Sequence, residues 1–381
     1  MDHDQQCSEP LDCYVALELS RRTWLVGALL PESTKVRTFT VPGGDTVGLL
    51  QGLDRLKERA AKSGFGDIRL RVCFEAGYDG FWIARFLLDA GIDTTVLDAS
   101  SFLVSRRGRR VKTDRVDVEA MCNTLKAYLL GDRSVCRPVR LPTPEEEDSR
   151  RMARERIQLV KERTRHVNRI KALLNLNGIR DCTGLLTGRL KARLDDLRTG
   201  DGRLLGPFIR RELLRQMARL ELVRAQLKVL EAERAEALAQ ETVPKSAQVE
   251  MLMQLRGIGE VGAATLVAEV FQRKFQNRKH LASYLGLAPS HYASGDVQRD
   301  QGISKAGNKL ARVMMVELAW CWLRYQPDSA LTRWYRKRFC AIDSSTPRKI
   351  GVIALARKLA IALWRYLEHG LVPEGAVVKT R

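Results

Sequence analysis

Two aspartates three residues apart, Asp114 and Asp117 in "VKTDRVDVEA", follow directly on the cationic run "SRRGRRVK". At that spacing both carboxylates fall on one face of a helix, where they repel each other unless a cation stands between them. Two further acids could join them: Glu18, inside the apolar run "YVALEL", and Glu75, at the end of "IRLRVCFEA". A lone carboxylate buried in an apolar strand is costly, although strand alternation can equally turn Glu18 to solvent. Together the four acids supply what a hard divalent cation such as Mg²⁺ requires, oxygen ligands and concentrated negative charge. Two such ions about 4 Å apart can clamp the attacking and leaving oxygens of a phosphodiester. Taken singly, each acid also has an ordinary reading, as a solvated helix pair or a strand-end residue.

Acids so far apart in sequence need a scaffold that gathers them, and the hydrophobic pattern supplies one. From Cys13, "CYVALEL", "TWLVGALL" and "KVRTFTV" are apolar, β-branched runs between short polar turns, which predicts three strands. A helix over about residues 45–63 follows, then the strand "IRLRVCFEA", the helix "DGFWIARFLLDAG" closed by Gly91, and the strand "DTTVLD". The helix bearing Asp114 and Asp117 closes the series. Three strands, helix, strand, helix, strand, helix is the order of an RNase H-like α/β domain, predicted over residues 12–139. In that order Glu18 falls on the first strand, Glu75 at the end of the fourth and the aspartates on the last helix.

The rest of the chain reads as helical, so the fold class is α/β plus all-α. Thr143 as N-cap, Pro144 in the first turn and Glu146 three residues after the cap predict the start of one long helix running to Gly178. Its apolar stripe, Met152, Leu159, Val160, Val167, Ile170 and Leu174, is narrow. Arg150, Arg151, Arg154, Arg156, Lys161, Arg163, Arg165, Arg169 and Lys171 cover much of the remainder, as RNA or DNA contact or as a solvated face. A second helix over roughly residues 207–240 repeats Leu213, Leu220, Val223, Leu227 and Leu230 near a heptad seam. The pair predicts a coiled-coil linker and dimerisation region over residues 140–246. The third domain, 247–381, is expected to be helical at both ends with a short irregular middle. Within it "LMQLRGIGEVGAATLVAEV" has the pattern of a helix-hairpin-helix, whose Gly257, Gly259 and Gly262 let backbone amides approach a phosphate. Trp320, Trp322, Trp334, Tyr335, Trp364 and Tyr366 are expected in its core rather than as base-stacking platforms.

Composition narrows the partner. With 65 Lys and Arg against 45 Asp and Glu, the chain carries a formal charge of +20, which points to a polyanion. No run of about 18 uncharged apolar residues is present, so a membrane partner is not expected. The polar, acidic start "MDHDQQCSEP" does not read as a signal peptide, and the expected compartment is the cytoplasm. Eight cysteines without a CxxC pair argue for buried thiols rather than zinc or disulfides.

The segment "FQNRKHLASYLGLAPSHYASGDVQRDQGISKAGNKLARVMM" is dense in Ser, Gly and cations, including Lys305, yet holds no GKS/T phosphate loop and no usable Ser-His-Asp pattern. Ser294 precedes a glycine that permits a sharp turn; its chemistry alone does not separate it from Ser290 or Ser304. Taken together, "ALELS", "FEAGYDGFW", "RRVKTDRVD", "ERTRHVNRIKALL", "LRGIGEVGAATLVAE", "LASYLGLAPSHYASG" and "GISKAGNKLAR" resemble, in order, the DEDD-type insertion-sequence transposases, also described as bridge-RNA-guided serine recombinases. The resemblance covers nearly the whole chain, most specifically at "KTDRVD" and "GLAP…SG…GISKAGN".

That resemblance implies a RuvC-like N-terminal domain whose Glu18, Glu75, Asp114 and Asp117 bind Mg²⁺, a coiled-coil connection, and a C-terminal transposase domain with Ser294 as nucleophile. At the first acid the family's usual residue is aspartate; Glu18 keeps the charge and adds a methylene of reach. It implies DNA, both element ends and target, and a structured guide RNA as partners. It also implies a homo-oligomer, dimer or tetramer, in which acids and serine come from different protomers. Arg106, Arg107, Arg109, Arg110 and Lys112 would hold the strand that the metals engage, with Arg163, Arg165, Arg169, Lys171, the three glycines and Lys305 as further nucleic-acid contacts. The expected setting is the bacterial cytoplasm, beside the nucleoid. The competing readings are a RuvC-like structure-specific nuclease without serine chemistry and a catalytically inactive nucleic-acid-binding relic.

Overall fold

The computed structural model describes residues 10–77, 80–101, 113–294, 297–340 and 345–379, and the chain divides into two compact units, Met1–Pro142 and Thr143–Arg381. The first unit runs β1 (Leu11–Glu18), β2 (Thr23–Leu29), β3 (Arg37–Pro42), α1 (Thr46–Lys62), β4 (Ile68–Glu75), α2 (Trp82–Asp89), β5 (Asp93–Leu97) and α3 (Asp114–Leu129). Its sheet has the order β3-β2-β1-β4-β5, antiparallel on the β1-β2-β3 side and parallel on the β1-β4-β5 side. This mixed sheet with helices is consistent with the predicted RNase H-like arrangement.

Strand alternation explains why both faces are covered. In β1 every residue from Cys13 to Leu17 is buried, so the run is continuously apolar rather than half polar. Cys13, Val15 and Leu17 enter one core with Leu49 and Leu53 of α1 and Ile83 and Leu87 of α2. Tyr14 and Ala16 enter the other with Val118, Met121, Cys122 and Leu125 of α3. The helix α3 lies so close to the sheet that a Cβ at Gly27, on β2, would stand 2.0 Å from Val118 Cγ1. Buried thiols fill the remaining gaps, and desolvation pushes those of Cys13 and Cys122 up to about 12. All the cysteines among the described residues are free.

The second unit runs α4 (Pro144–Leu176), α5 (Arg189–Ala192), α6 (Pro207–Ala239), α7 (Ser246–Gln254), α8 (Glu260–Leu266), α9 (Arg278–Tyr284), β6 (Pro289–Ser294), β7 (Val297–Ile303), α10 (Lys309–Tyr325), α11 (Ala330–Phe339) and α12 (Ser345–His369). The cap of α4 forms as its sequence predicts: Glu146 N donates to Thr143 Oγ1 and Thr143 N donates to Glu146 Oε2, both at 3.2 Å. At the other end Gly178 takes φ +74 and Ile179 N donates to Leu174 O, which stops the helix.

The seam leucines of α4 and α6 meet in opposite order. Ile170 and Leu174 pack with Leu213 and Met217, and Leu159 packs with Val223, Leu227 and Leu230, so the helices run antiparallel. Helices α7 to α12 share one core, in which Trp322, Tyr335 and Tyr366 are buried. Trp322 Nε1 donates to Ser329 Oγ, which satisfies the indole. Trp320, expected in that core, is instead 51% exposed. The middle of this unit is also more regular than its composition suggested, since β6 and β7 form an antiparallel hairpin. Among the described residues no helix is long and apolar enough to cross a membrane.

The contact at Gly27 carries a prediction. Gly27→Ala overpacks the α3 interface and lowers the opening free energy of α3 by about 1–3 kcal/mol, read by hydrogen exchange at its amides in the full chain.

Candidate active site

Glu18 and Glu75 are the last residues of β1 and β4. The parallel register runs from Leu11 opposite Ile68 to Leu17 opposite Phe74, so the next row brings the two glutamates side by side, on strands about 4.8 Å apart. Alternation puts them on the face of Tyr14, Ala16 and Cys73, the face that α3 covers. The first turn of α3 carries Asp114 and Asp117, behind the N-cap Thr113. Val118, one residue on, touches Gly27, whose register partner is Ala16, two residues before Glu18. All four predicted acids therefore gather toward the carboxyl edge of the parallel strands, on one face. Glu75 and Asp114 are exposed, and Glu18 and Asp117 are partly buried.

As a donor set these carboxylates suit a hard divalent cation in chemical type. Among the described residues, however, no three His, Cys, Asp or Glu side chains converge closely enough to hold a metal ion. The aspartates also have a structural use, because acids in the first turn complement the positive end of the helix dipole.

Ser294 ends β6 and pairs with Val297, the first residue of β7, at the tip of the hairpin. Opposite that tip, the hairpin's foot is built from the "GLAP" and "GISKAGN" segments. Ser304 N donates to Ala288 O at 2.9 Å, Lys305 N to Gly286 O at 3.2 Å and Asn308 N to Tyr284 O at 2.8 Å. Gly286 and Gly307 both take positive φ, and a Cβ at either would stand within 2.2 Å of a carbonyl oxygen. Lys305 is exposed at this foot, with φ +56.

The basic candidates divide. Arg106, Arg107, Arg109, Arg110 and Lys112 lie outside the described residues. On α4, Arg163, Arg165 and Lys171 are exposed. Arg169 donates twice to Glu212 of α6, at 3.1 and 2.7 Å, a surface pair of the kind worth about 0–1 kcal/mol that a phosphate can displace. Arg150 and Arg154 instead bind groups of their own unit, Ala268 O and Glu269. Gly257 turns the chain between α7 and α8 at φ +90, and Gly259 is the N-cap of α8. Gly262 is buried, its Cβ position 2.9 Å from Leu318 Cδ2, so its smallness serves helix packing. Residues that spacing passed over stand beside the hairpin foot: Glu269, in the apolar run "TLVAEVF", and Asn308, the N-cap of α10.

Sequence comparison assigns both units to one class of protein, the transposases. Residues 19–177 match the DEDD transposase family of IS110, a span that contains Glu75, Asp114 and Asp117 and starts one residue after Glu18. Residues 249–334, which contain Ser294, match the family described as transposase IS116/IS110/IS902. The chain belongs to this IS110/IS116 family of insertion-sequence transposases, and so to the enzymes that act on DNA. It is 45% identical over 378 residues to the transposase y4rJ of Sinorhizobium fredii, covering 96% of this chain and 94% of that one. A family 20 transposase of Pseudomonas aeruginosa is 29% identical over 78% of this chain and 84% of its own. The transposase for insertion sequence element IS1328 of Yersinia enterocolitica is 27% identical over 68% of this chain and 73% of its own.

The exposed face of α4 carries a prediction. Replacing Arg163, Arg165 and Lys171 together by Gln leaves folding unchanged and reduces the slope of log affinity for DNA against log salt by about 2 to 3, if each contacts one phosphate.

Proposed function

We propose that this transposase cuts and rejoins DNA through a covalent phosphoserine link at Ser294, with Glu18, Glu75, Asp114 and Asp117 as the carboxylates that would hold Mg²⁺. The observation that carries this reading is the single edge and face shared by the four acids, in a chain whose relatives are named transposases. Ser294 Oγ attacks a DNA phosphorus. A new O–P bond forms as the P–O bond to the departing strand breaks; the serine proton passes to solvent and the departing oxygen leaves as a hydroxyl. A strand hydroxyl then reverses the step at the phosphoserine, so the number of phosphodiesters is conserved. When bound, the divalent ion supplies positive charge to the phosphoryl oxygens.

In this reading a structured guide RNA selects the target, since pairing reads sequence while the protein reads backbone and shape. The exposed cations of α4, the run 106–112 and Lys305 contact phosphates, and the α7–α8 turn acts as a helix-hairpin-helix. The α4–α6 pair serves as a coiled-coil arm within a dimer or tetramer.

Ser294→Ala and Asp117→Asn each reduce recombination of a marked element by ~10³-fold or more, and only the wild type leaves protein joined to DNA. Strand cleavage that survives Ser294→Ala but not Asp117→Asn replaces this reading with that of a nuclease. DNA binding without Mg²⁺-dependent breakage in the wild type replaces it with that of a relic.

A further inference from the structure

Glu269 is 3% exposed and sits in a π-helical turn, Val267–Phe271, that continues α8. Such turns are rare and loosen the regular carbonyl ladder; here side chains from elsewhere in the unit supply donors. Arg150 Nε donates to Ala268 O at 3.1 Å, and the Tyr284 hydroxyl donates to Glu269 O at 2.8 Å. The Glu269 carboxylate accepts from Arg154 of α4 twice, Nε to Oε1 at 2.8 Å and Nη2 to Oε2 at 3.3 Å. Its Oε2 also accepts from Asn308 Nδ2 at 2.9 Å. Asn308 is committed on its other side as well, since Oδ1 accepts from Ala311 N at 3.0 Å and so caps α10. One buried carboxylate thus joins the start of α4, the π turn and the segment that leaves β7.

Net stability is a poor account of this cluster, because the desolvation of a buried charge offsets much of its attraction. Direction is a better one, since an arginine–carboxylate fork fixes the relative orientation of its partners. The direction at stake is that of the hairpin. Its foot hangs from Asn308 and Gly286, and Ser294 is at the far end of β6, five residue steps from Pro289. At about 3.4 Å per step that lever is roughly 17 Å long, so a tilt of roughly 3° at the foot moves the tip by about 1 Å.

We propose that Glu269 and Asn308 are positioning residues for strand transfer, setting the tilt of the β6–β7 hairpin, and with it the place of Ser294, from α4. The proposal rests on the reading of Ser294 as nucleophile. Glu269→Gln keeps an oxygen for Arg154 but turns its amide group on Asn308 Nδ2, donor against donor. Asn308→Asp sets carboxylate against carboxylate while keeping an acceptor for Ala311. The two substitutions together restore a donor facing an acceptor.

The full-length variants are compared by three readouts: the rate of covalent DNA–protein formation at saturating DNA, the DNA Kd, and hydrogen exchange over residues 289–303. Each single variant is expected to lose about 100-fold in rate, the cost of a misplacement of about 1 Å, at unchanged Kd and with faster exchange confined to the hairpin. The double variant recovers most of the rate. Single variants that react at the wild-type rate, or a double variant no better than either, overturn the proposal. Unchanged hairpin exchange overturns it whatever Ser294 does, whereas a covalent link that persists in Ser294→Ala, with hairpin exchange still altered in the single variants, overturns only the nucleophile reading.

Discussion

The parallel pairing of β1 with β4 is the constraint on which the first unit depends. Its register makes Glu18 and Glu75 neighbours, and the two-residue period of a strand then decides which face they share. Because β1 is buried on both faces, a slip of one residue would carry Glu18 to the α1–α2 side and turn Val15 and Leu17 to the wrong core. The helix bearing the aspartates is held to the glutamate face by an equally strict contact, the missing side chain at Gly27 against Val118. The acids are thus placed by packing, with no direct bond between them needed to bring them to one edge.

The second unit poses a different problem, that of holding a two-stranded hairpin whose first strand ends at Ser294. Hairpins of this size are marginal alone, and this one is clamped at its foot by backbone hydrogen bonds that only glycine at 286 and 307 permits. The foot in turn is joined to α4 through Glu269 and Asn308. The hydrogen bonds that Arg154 donates to Glu269 raise the pKa of its guanidinium above the ordinary value against the opposing effect of partial burial. At the other end of the α7–α8 turn, Arg234 of α6 donates to Glu260 at 2.7 Å, so both long helices grip the helical core by ion pairs.

Much of this was legible locally. The strands of the first unit, the capping box at Thr143 and the leucine seam of α6 are periodic or short-range signals, and each forms where the spacing puts it. What spacing missed depends on partners distant in sequence. Arg150 and Arg154 look like the other cations of α4, and only residues 268, 269 and 272 distinguish them. Glu269 carries the same signal that drew attention to Glu18, a lone acid in an apolar run, yet a helix offers no two-residue alternation to say which way it faces. The hairpin was hidden because its alternation of Ser, Tyr and Ser reads as polar loop composition. Trp320 was misplaced because aromatic content names a residue's chemistry and not its side of the helix.

The most direct test is to locate the atom that becomes joined to DNA. Wild-type protein with its co-purified RNA is incubated with Mg²⁺ and DNA carrying the element's ends and target, denatured, and digested with nuclease and trypsin, and the peptide of residues 280–299 is sequenced by mass spectrometry. That peptide holds Ser283, Ser290 and Ser294. The account predicts a nucleotide adduct on Ser294 alone, dependent on Mg²⁺. An adduct on Ser283 or Ser290, or strand exchange with no adduct on this peptide, would contradict it.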